Sequence, residues 1–151
     1  MASTKKIREG LEVFYGTIIE NYKMAQRAVM SQSRVVTMFK KADYDGRIKD
    51  FSRVILALRK LNLETDDTNT EIEQDIVEAF KIAKARLTDL CEDQIKLQET
   101  LKMKATREKK VPVKEYTRVM ENVRKSHDIM QRALHRMDII YTDFLEEIEE
   151  L

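Results

Sequence analysis

Two long stripes of apolar residues, one on each side of the chain's single proline, constrain this sequence more than any other feature. After Pro112, alternating steps of four and three residues run over 116–151, five heptads in which His127 is the one polar member. Before Pro112, the same spacing runs over 76–101, with Gln94 as its one polar member. This spacing is typical of long helices that bury one face against a neighbouring helix.

The short break between the two stripes predicts a helical hairpin. Proline disfavours helix in the residue before it and suits the first turn of a new helix, so the chain is expected to reverse near Val111. In such an antiparallel hairpin, residues whose numbers add to about 222 face each other. Gln94 then lies level with His127, which predicts a polar layer of these two hydrogen-bonded side chains in the core.

The rest of the chain is also expected to be helical, because three glycines and one proline are too few for a turn-rich sheet protein. The predicted fold is all-α: an elongated antiparallel helical bundle that forms a single domain over 1–151. It contains three long helices, at about 3–42, 70–110 and 113–151, and one short helix at about 47–62.

Local signals place the helix ends. Thr70 and Glu73 have the spacing of a capping box, which predicts the start of the third helix. The segment from Asp43 to Gly46 is typical of a turn that ends the first helix, where Gly46 is able to adopt the left-handed conformation. Residues 30–33 are the weakest helix formers of the first helix, and a kink or break is expected there.

Apolar residues outside the two stripes suggest a surface for a partner. The first helix carries a second apolar stripe, and the short helix covers less than half the length of the hairpin. Buried apolar surface is worth about 25 cal/mol per Å², so an uncovered strip favours association. The sequence predicts a homodimer, or binding of a partner helix, through a face drawn from Ile19, Tyr22, Val29, Ile129 and Ile139.

The net charge of +1 indicates no class of partner, but the charges are unevenly distributed. Segments 64–78 and 143–150, which meet at the base of the hairpin, are acidic and carry no basic residue. Segment 96–125, at the tip, is basic, and a nucleic acid could bind there through its phosphates. The candidate basic patch consists of Lys102, Lys104, Arg107, Lys109, Lys110, Lys114 and Arg118.

Residues with catalytic or metal-binding chemistry are few. The segment 43–48 resembles the middle of a calcium-binding loop, but Lys41 and Ser52 stand where that loop needs its first and last ligands. His127 has no second histidine on its face, and Cys91 has no neighbouring base. We therefore expect no enzymatic activity, no metal and no cofactor.

These observations predict a non-catalytic protein–protein interaction or structural subunit. The alternative is a nucleic-acid-associated protein that uses the basic tip. The single cysteine fits a reducing, cytoplasmic location, and no apolar run approaches the roughly 20 residues of a membrane span.

Overall fold

The computed structural model describes residues 3–30, 43–107 and 110–149, and the regular structure within these ranges is entirely helical. This confirms the all-α helical bundle expected from the sequence. The elements are α1 (Thr4–Val13), a π-helical turn (Phe14–Ile18), α2 (Ile19–Met30), α3 (Tyr44–Lys60), α4 (Glu71–Thr106) and α5 (Val113–Glu149). The end of the predicted first helix, with its expected kink or break, lies largely outside the described residues.

Helices α4 and α5 form the antiparallel hairpin that the proline predicts. At the tip, the Lys104 ammonium lies 4.9 Å from the centre of the Tyr116 ring. At the base, the Thr70 hydroxyl donates to a Glu147 carboxylate oxygen at 3.4 Å. Both pairs agree with the predicted register to within about one and a half helical turns. The hairpin forms the frame against which the other helices pack.

The N-terminal helix, which is α1, the π-helical turn and α2 together, runs alongside α4 in the same direction. Its start lies at the base of the hairpin, where the Thr4 hydroxyl donates to the carboxylate of Glu73. Farther along, Tyr22 lies beside Gln94 of α4. The N-terminal helix therefore rises from the acidic base of the hairpin towards its basic tip.

Helix α3 returns in the opposite direction. Near its start, Asp45 accepts a hydrogen bond from Lys102 at 2.8 Å, close to the tip. Past its end, the Lys84 ammonium donates to the carbonyl of Leu61 at 2.8 Å and so satisfies a free C-terminal acceptor. The four helical rods thus alternate in direction along the chain, as in an up-down-up-down bundle.

The start of α4 is where the sequence predicts it, whereas the start of α3 is not. Thr70 and Glu73 form the predicted capping box. Gly46, however, is not in the left-handed conformation and lies within α3, which begins at Tyr44 rather than near residue 47. Helix α3 begins earlier because the Asp43 carboxylate accepts a hydrogen bond from the Gly46 backbone N–H at 2.9 Å and thereby caps the helix.

At the π-helical turn, the N-terminal helix contacts both α4 and α5. Phe14 packs edge-on against Phe80 of α4, with ring centres 5.2 Å apart. The next residue, Tyr15, stacks on Tyr141 of α5 at 4.6 Å and donates to the Asp138 carboxylate at 2.7 Å. Consecutive aromatic residues therefore fix the N-terminal helix to both arms of the hairpin.

Candidate functional site

The residues of the predicted partner face differ in burial: some lie in the core and others at the surface. Ile19 and Tyr22 are 7% and 3% exposed, and Val29 is half-buried against the core. The place of Ile19 and Tyr22 in the partner face is therefore wrong, because the bundle itself covers these two side chains. Ile129 and Ile139 on α5, in contrast, are 47% and 55% exposed.

The predicted polar layer also has a different composition. Gln94 is buried, and its side-chain amide donates to the hydroxyl of Tyr22 at 3.5 Å. The ring nitrogens of His127 lie 3.4 Å from the Gln131 amide and 3.9 Å from the Asp128 carboxylate. The predicted Gln94–His127 hydrogen bond is therefore wrong: His127 contacts its own helix, and the N-terminal helix supplies the partner of Gln94.

Burial is the main cause of the shifted pKa values of the side chains in this layer. It raises the pKa of Tyr22 to about 12, although the hydrogen bond from Gln94 opposes the shift. It also raises the pKa of the Cys91 thiol to about 12. A buried thiol that stays protonated at neutral pH is a poor nucleophile.

The basic patch is partly engaged within the chain. Lys102 forms an ion pair with Asp45 at 2.8 Å, and Lys104 lies over the ring of Tyr116. Arg107 ends α4 in the left-handed conformation, with φ of 56°. Lys109 lies outside the described residues. The remaining members of the patch are exposed, and they are Lys110, Lys114 and Arg118.

A second stripe with heptad spacing lies on the outer side of α5, away from the buried Met130, Met137 and Phe144. Every residue of this outer stripe is exposed. Its members follow one another at alternating steps of four and three, and they are Arg118, Asn122, Lys125, Ile129, Arg132, Arg136, Ile139, Asp143 and Glu146.

Ile129 and Ile139 are among the residues that the sequence predicts for the partner face, but the apolar periodicity does not predict the outer stripe that contains them. The signal was present as the same spacing that marks the core stripe. It was hidden because seven of its nine members are polar, and polar residues at heptad positions are not counted in a search for apolar periodicity.

The outer stripe has opposite charge at its two ends. Its charged members before Ile139 are all basic, and those after it are both acidic. The pattern is also symmetric about residue 134: Ile129 and Ile139 are equidistant from it, as are Lys125 and Asp143. In an antiparallel pair of such helices, the isoleucines meet and Lys125 lies opposite Asp143, while Arg132 lies opposite Arg136.

Metal chemistry finds no support within residues 3–30, 43–107 and 110–149, which contain no group of three or more His, Cys, Asp or Glu arranged to hold an ion. The segment that resembles part of a calcium loop is the cap and first turn of α3. No helix in the described part of the chain is long and apolar enough to cross a membrane.

The fold and the outer stripe define an all-α bundle that exposes one face of its C-terminal helix. Comparisons with protein-family models, with curated proteins and with solved structures found no match to this chain.

Proposed function

We propose that this protein is a non-catalytic structural or interaction subunit that forms a homodimer through the outer stripe of α5. The observation that carries the proposal is the exposed, charge-segregated heptad pattern on a helix whose opposite side is buried. Two exposed isoleucines on such a stripe are typical of a helix–helix contact. The single buried cysteine is consistent with a reducing, cytoplasmic location, which is part of the same proposal.

The proposed dimer is antiparallel, with its two-fold axis near residue 134. In this register, Ile129 of each copy packs against Ile139 of the other. Lys125 of each copy lies opposite Asp143 of the other, so opposite charges meet on both sides of the apolar contact. A parallel arrangement would instead place Lys125 beside Lys125 and Asp143 beside Asp143, which is unfavourable.

The expected affinity is modest. Complete burial of an isoleucine is worth about 1.5–3 kcal/mol, so covering the exposed half of four isoleucines contributes about 3–6 kcal/mol. Surface ion pairs add about 0–1 kcal/mol each. Loss of translational and rotational freedom costs at least about 4 kcal/mol. Arg132 and Arg136 would also face each other across the axis, so we expect a dimer that dissociates when diluted.

Sedimentation equilibrium over a range of protein concentrations tests the proposal. Ile129→Glu and Ile139→Glu should each shift the protein to monomer, because they place a carboxylate in the apolar contact. Ile82→Glu is the matched control, since Ile82 is 40% exposed but lies on α4, outside the outer stripe. The control variant should associate like the wild-type protein.

A second variant is expected to strengthen the dimer. Arg136→Glu replaces a repulsive pair with an attractive one on each side of the axis and should lower the dissociation constant. If the wild type sediments as a monomer at every concentration and Arg136→Glu does too, the dimer does not form. If Ile82→Glu alone disrupts association, a different surface is responsible.

The competing function is nucleic-acid binding by the hairpin tip. Lys110, Lys114 and Arg118 are exposed, which leaves their charges accessible to phosphates. Against it, Lys102 and Lys104 are engaged within the chain. Fluorescence anisotropy with a generic DNA duplex discriminates the two functions. Binding that weakens steeply with salt and is lost on Lys114→Gln would favour the nucleic-acid function.

A further inference from the structure

The tip of the hairpin exposes apolar side chains. Val113, at the start of α5, is 80% exposed, which is the largest fraction for any large apolar side chain in the described part of the chain. Met120 lies on the same side of α5 two turns later and is 44% exposed. Pro112 is exposed as well. These three residues form an apolar surface, termed the tip strip.

Exposed basic side chains lie beside the tip strip. Lys110 and Lys114 flank Val113 along the chain, and both are exposed. Arg107, which ends α4 at the same end of the hairpin, is exposed too. The tip therefore presents cations and apolar groups together to whatever it meets.

The charge of the chain is separated along the length of the hairpin. Segment 96–125, at the tip, contains ten basic and four acidic residues. Segments 64–78 and 143–150, at the base, contain twelve acidic residues and no basic one. Helix α4 connects the two ends with 36 residues, which span about 54 Å. A negatively charged surface therefore attracts the tip and repels the base, so a monomer approaches such a surface with the tip strip in front.

An anionic lipid surface fits these features better than a nucleic acid does. A DNA duplex contacts basic side chains through its phosphates and would leave Val113 and Met120 in water. A single strand is held by aromatic rings on which its bases stack. Tyr116, the only aromatic residue in segment 96–125, is half-buried, and the Lys104 ammonium lies 4.9 Å from its ring centre. A bilayer offers phosphates to the cations and an apolar layer to the tip strip.

We propose that the hairpin tip docks onto the surface of a bilayer that contains anionic phospholipids. Arg107, Lys110 and Lys114 contact the headgroups, and Val113 enters the apolar layer beneath them. Each basic side chain near such a surface strengthens binding by about fivefold. In the proposed antiparallel dimer, the acidic base of the second copy lies beside each tip. Docking therefore involves the monomer and does not rest on the proposed dimer.

Co-sedimentation with lipid vesicles tests the docking at a protein concentration at which the wild type is monomeric. The protein should bind vesicles of phosphatidylcholine that contain about 30% phosphatidylserine, and binding should weaken as the salt concentration rises from about 0.1 M to about 0.5 M. It should not bind vesicles of phosphatidylcholine alone. The absence of binding at about 1 mM lipid, or equal binding to both kinds of vesicle, would overturn the proposal.

A pair of valine variants tests whether the tip strip enters the lipid. Val113→Asn should weaken binding about tenfold, because burial of a valine side chain in apolar surroundings is worth at least that factor. Val13→Asn is the matched control, since Val13 is 46% exposed but lies on α1, far from the tip. The control should bind like the wild type. Equal binding by the two variants would show that Val113 stays in water and would overturn the proposal.

An environment-sensitive fluorophore measures the same insertion directly. Attached through Val113→Cys, it should show blue-shifted emission with phosphatidylserine vesicles, whereas attached through Val13→Cys it should not. The native Cys91 is buried and should stay unlabelled. Lys114→Gln should weaken vesicle binding about fivefold. If the label at residue 113 stays in water and the protein binds a generic DNA duplex more tightly than the vesicles, the tip is a nucleic-acid site and the proposal is wrong.

Discussion

Substitution of Gly10 by alanine tests how closely the N-terminal helix approaches the loop before α4. A Cβ atom at Gly10 would lie 2.5 Å from Cδ2 of Leu63, a side chain that is itself buried. Gly16 offers a matched control, because a Cβ atom there meets nothing within 4 Å. Both glycines are helical, so the same substitution at the two positions separates the contact with Leu63 from helix propensity.

The magnitudes follow from two opposing effects. Alanine is favoured over glycine inside a helix by about 0.5–1 kcal/mol, so Gly16→Ala should raise the free energy of unfolding by about that amount. Forcing an extra methyl group into a packed site costs about 1–3 kcal/mol, so Gly10→Ala should be neutral or destabilising by up to about 2.5 kcal/mol. The variants should therefore differ by about 1–3 kcal/mol.

Urea unfolding followed by circular dichroism measures this difference. In a chain of this size, each kcal/mol also corresponds to about 2–4 °C in melting temperature. In a Leu63→Ala background the obstruction is gone, so adding Gly10→Ala should become stabilising. Equal changes for Gly10→Ala and Gly16→Ala in the wild-type background would refute the close packing of Gly10 against Leu63.

Three further predictions concern buried and capping groups. Cys91 should resist iodoacetamide at pH 8 in the folded protein and react once the protein is unfolded, because burial raises its pKa to about 12. The folded state raises the pKa of Tyr22 from 10.0 to about 12, so its contribution to stability should be complete below pH 10 and lost as the pH rises to 12, which urea unfolding at each pH would show. Burial alone would raise the pKa of Glu73, but hydrogen bonds, led by the one from Thr4, outweigh burial and lower this pKa below 4.5. The free energy of unfolding should therefore fall as the pH drops below this value. Thr70→Ala should lower the free energy of unfolding by about 0.5–2 kcal/mol, because it removes the cap of α4.

The hairpin could be predicted from the sequence because its signals are local. Pro112 fixes the break between α4 and α5, and the capping box fixes the start of α4. The heptad spacing predicts the buried Met130, Met137 and Phe144, but near the tip it is wrong by one residue, because Val119 is buried and Met120 is exposed. Each of these depends on residues within a few positions of one another. The position of the turn at Pro112 also predicts the register between α4 and α5, and therefore the height of Gln94 along the hairpin.

The contacts of the N-terminal helix could not be predicted in this way. Gln94 has its partner in Tyr22 rather than His127 because the N-terminal helix packs beside α4, and no local signal states which helix occupies that place. The burial of Ile19 has the same origin. The sequence around Gly46 does not distinguish a turn from a helix start, because a glycine after an aspartate is common in both. The hydrogen bond from the Gly46 amide to the Asp43 carboxylate caps α3 and so favours the helix start.

The distance between identical positions of two copies tests the proposed dimer most directly. A spin label attached through Asn122→Cys is suitable because Asn122 is exposed, whereas the native Cys91 is buried and should stay unlabelled. In the antiparallel dimer, residue 122 of one copy lies opposite residue 146 of the other, so the labels are separated by about 36 Å along the helix axis. Double electron–electron resonance should give a distance distribution centred near that value, which sharpens on Arg136→Glu. A distance of about 10 Å, which a parallel pair of packed helices would give, or the absence of any dipolar signal, would contradict the antiparallel dimer.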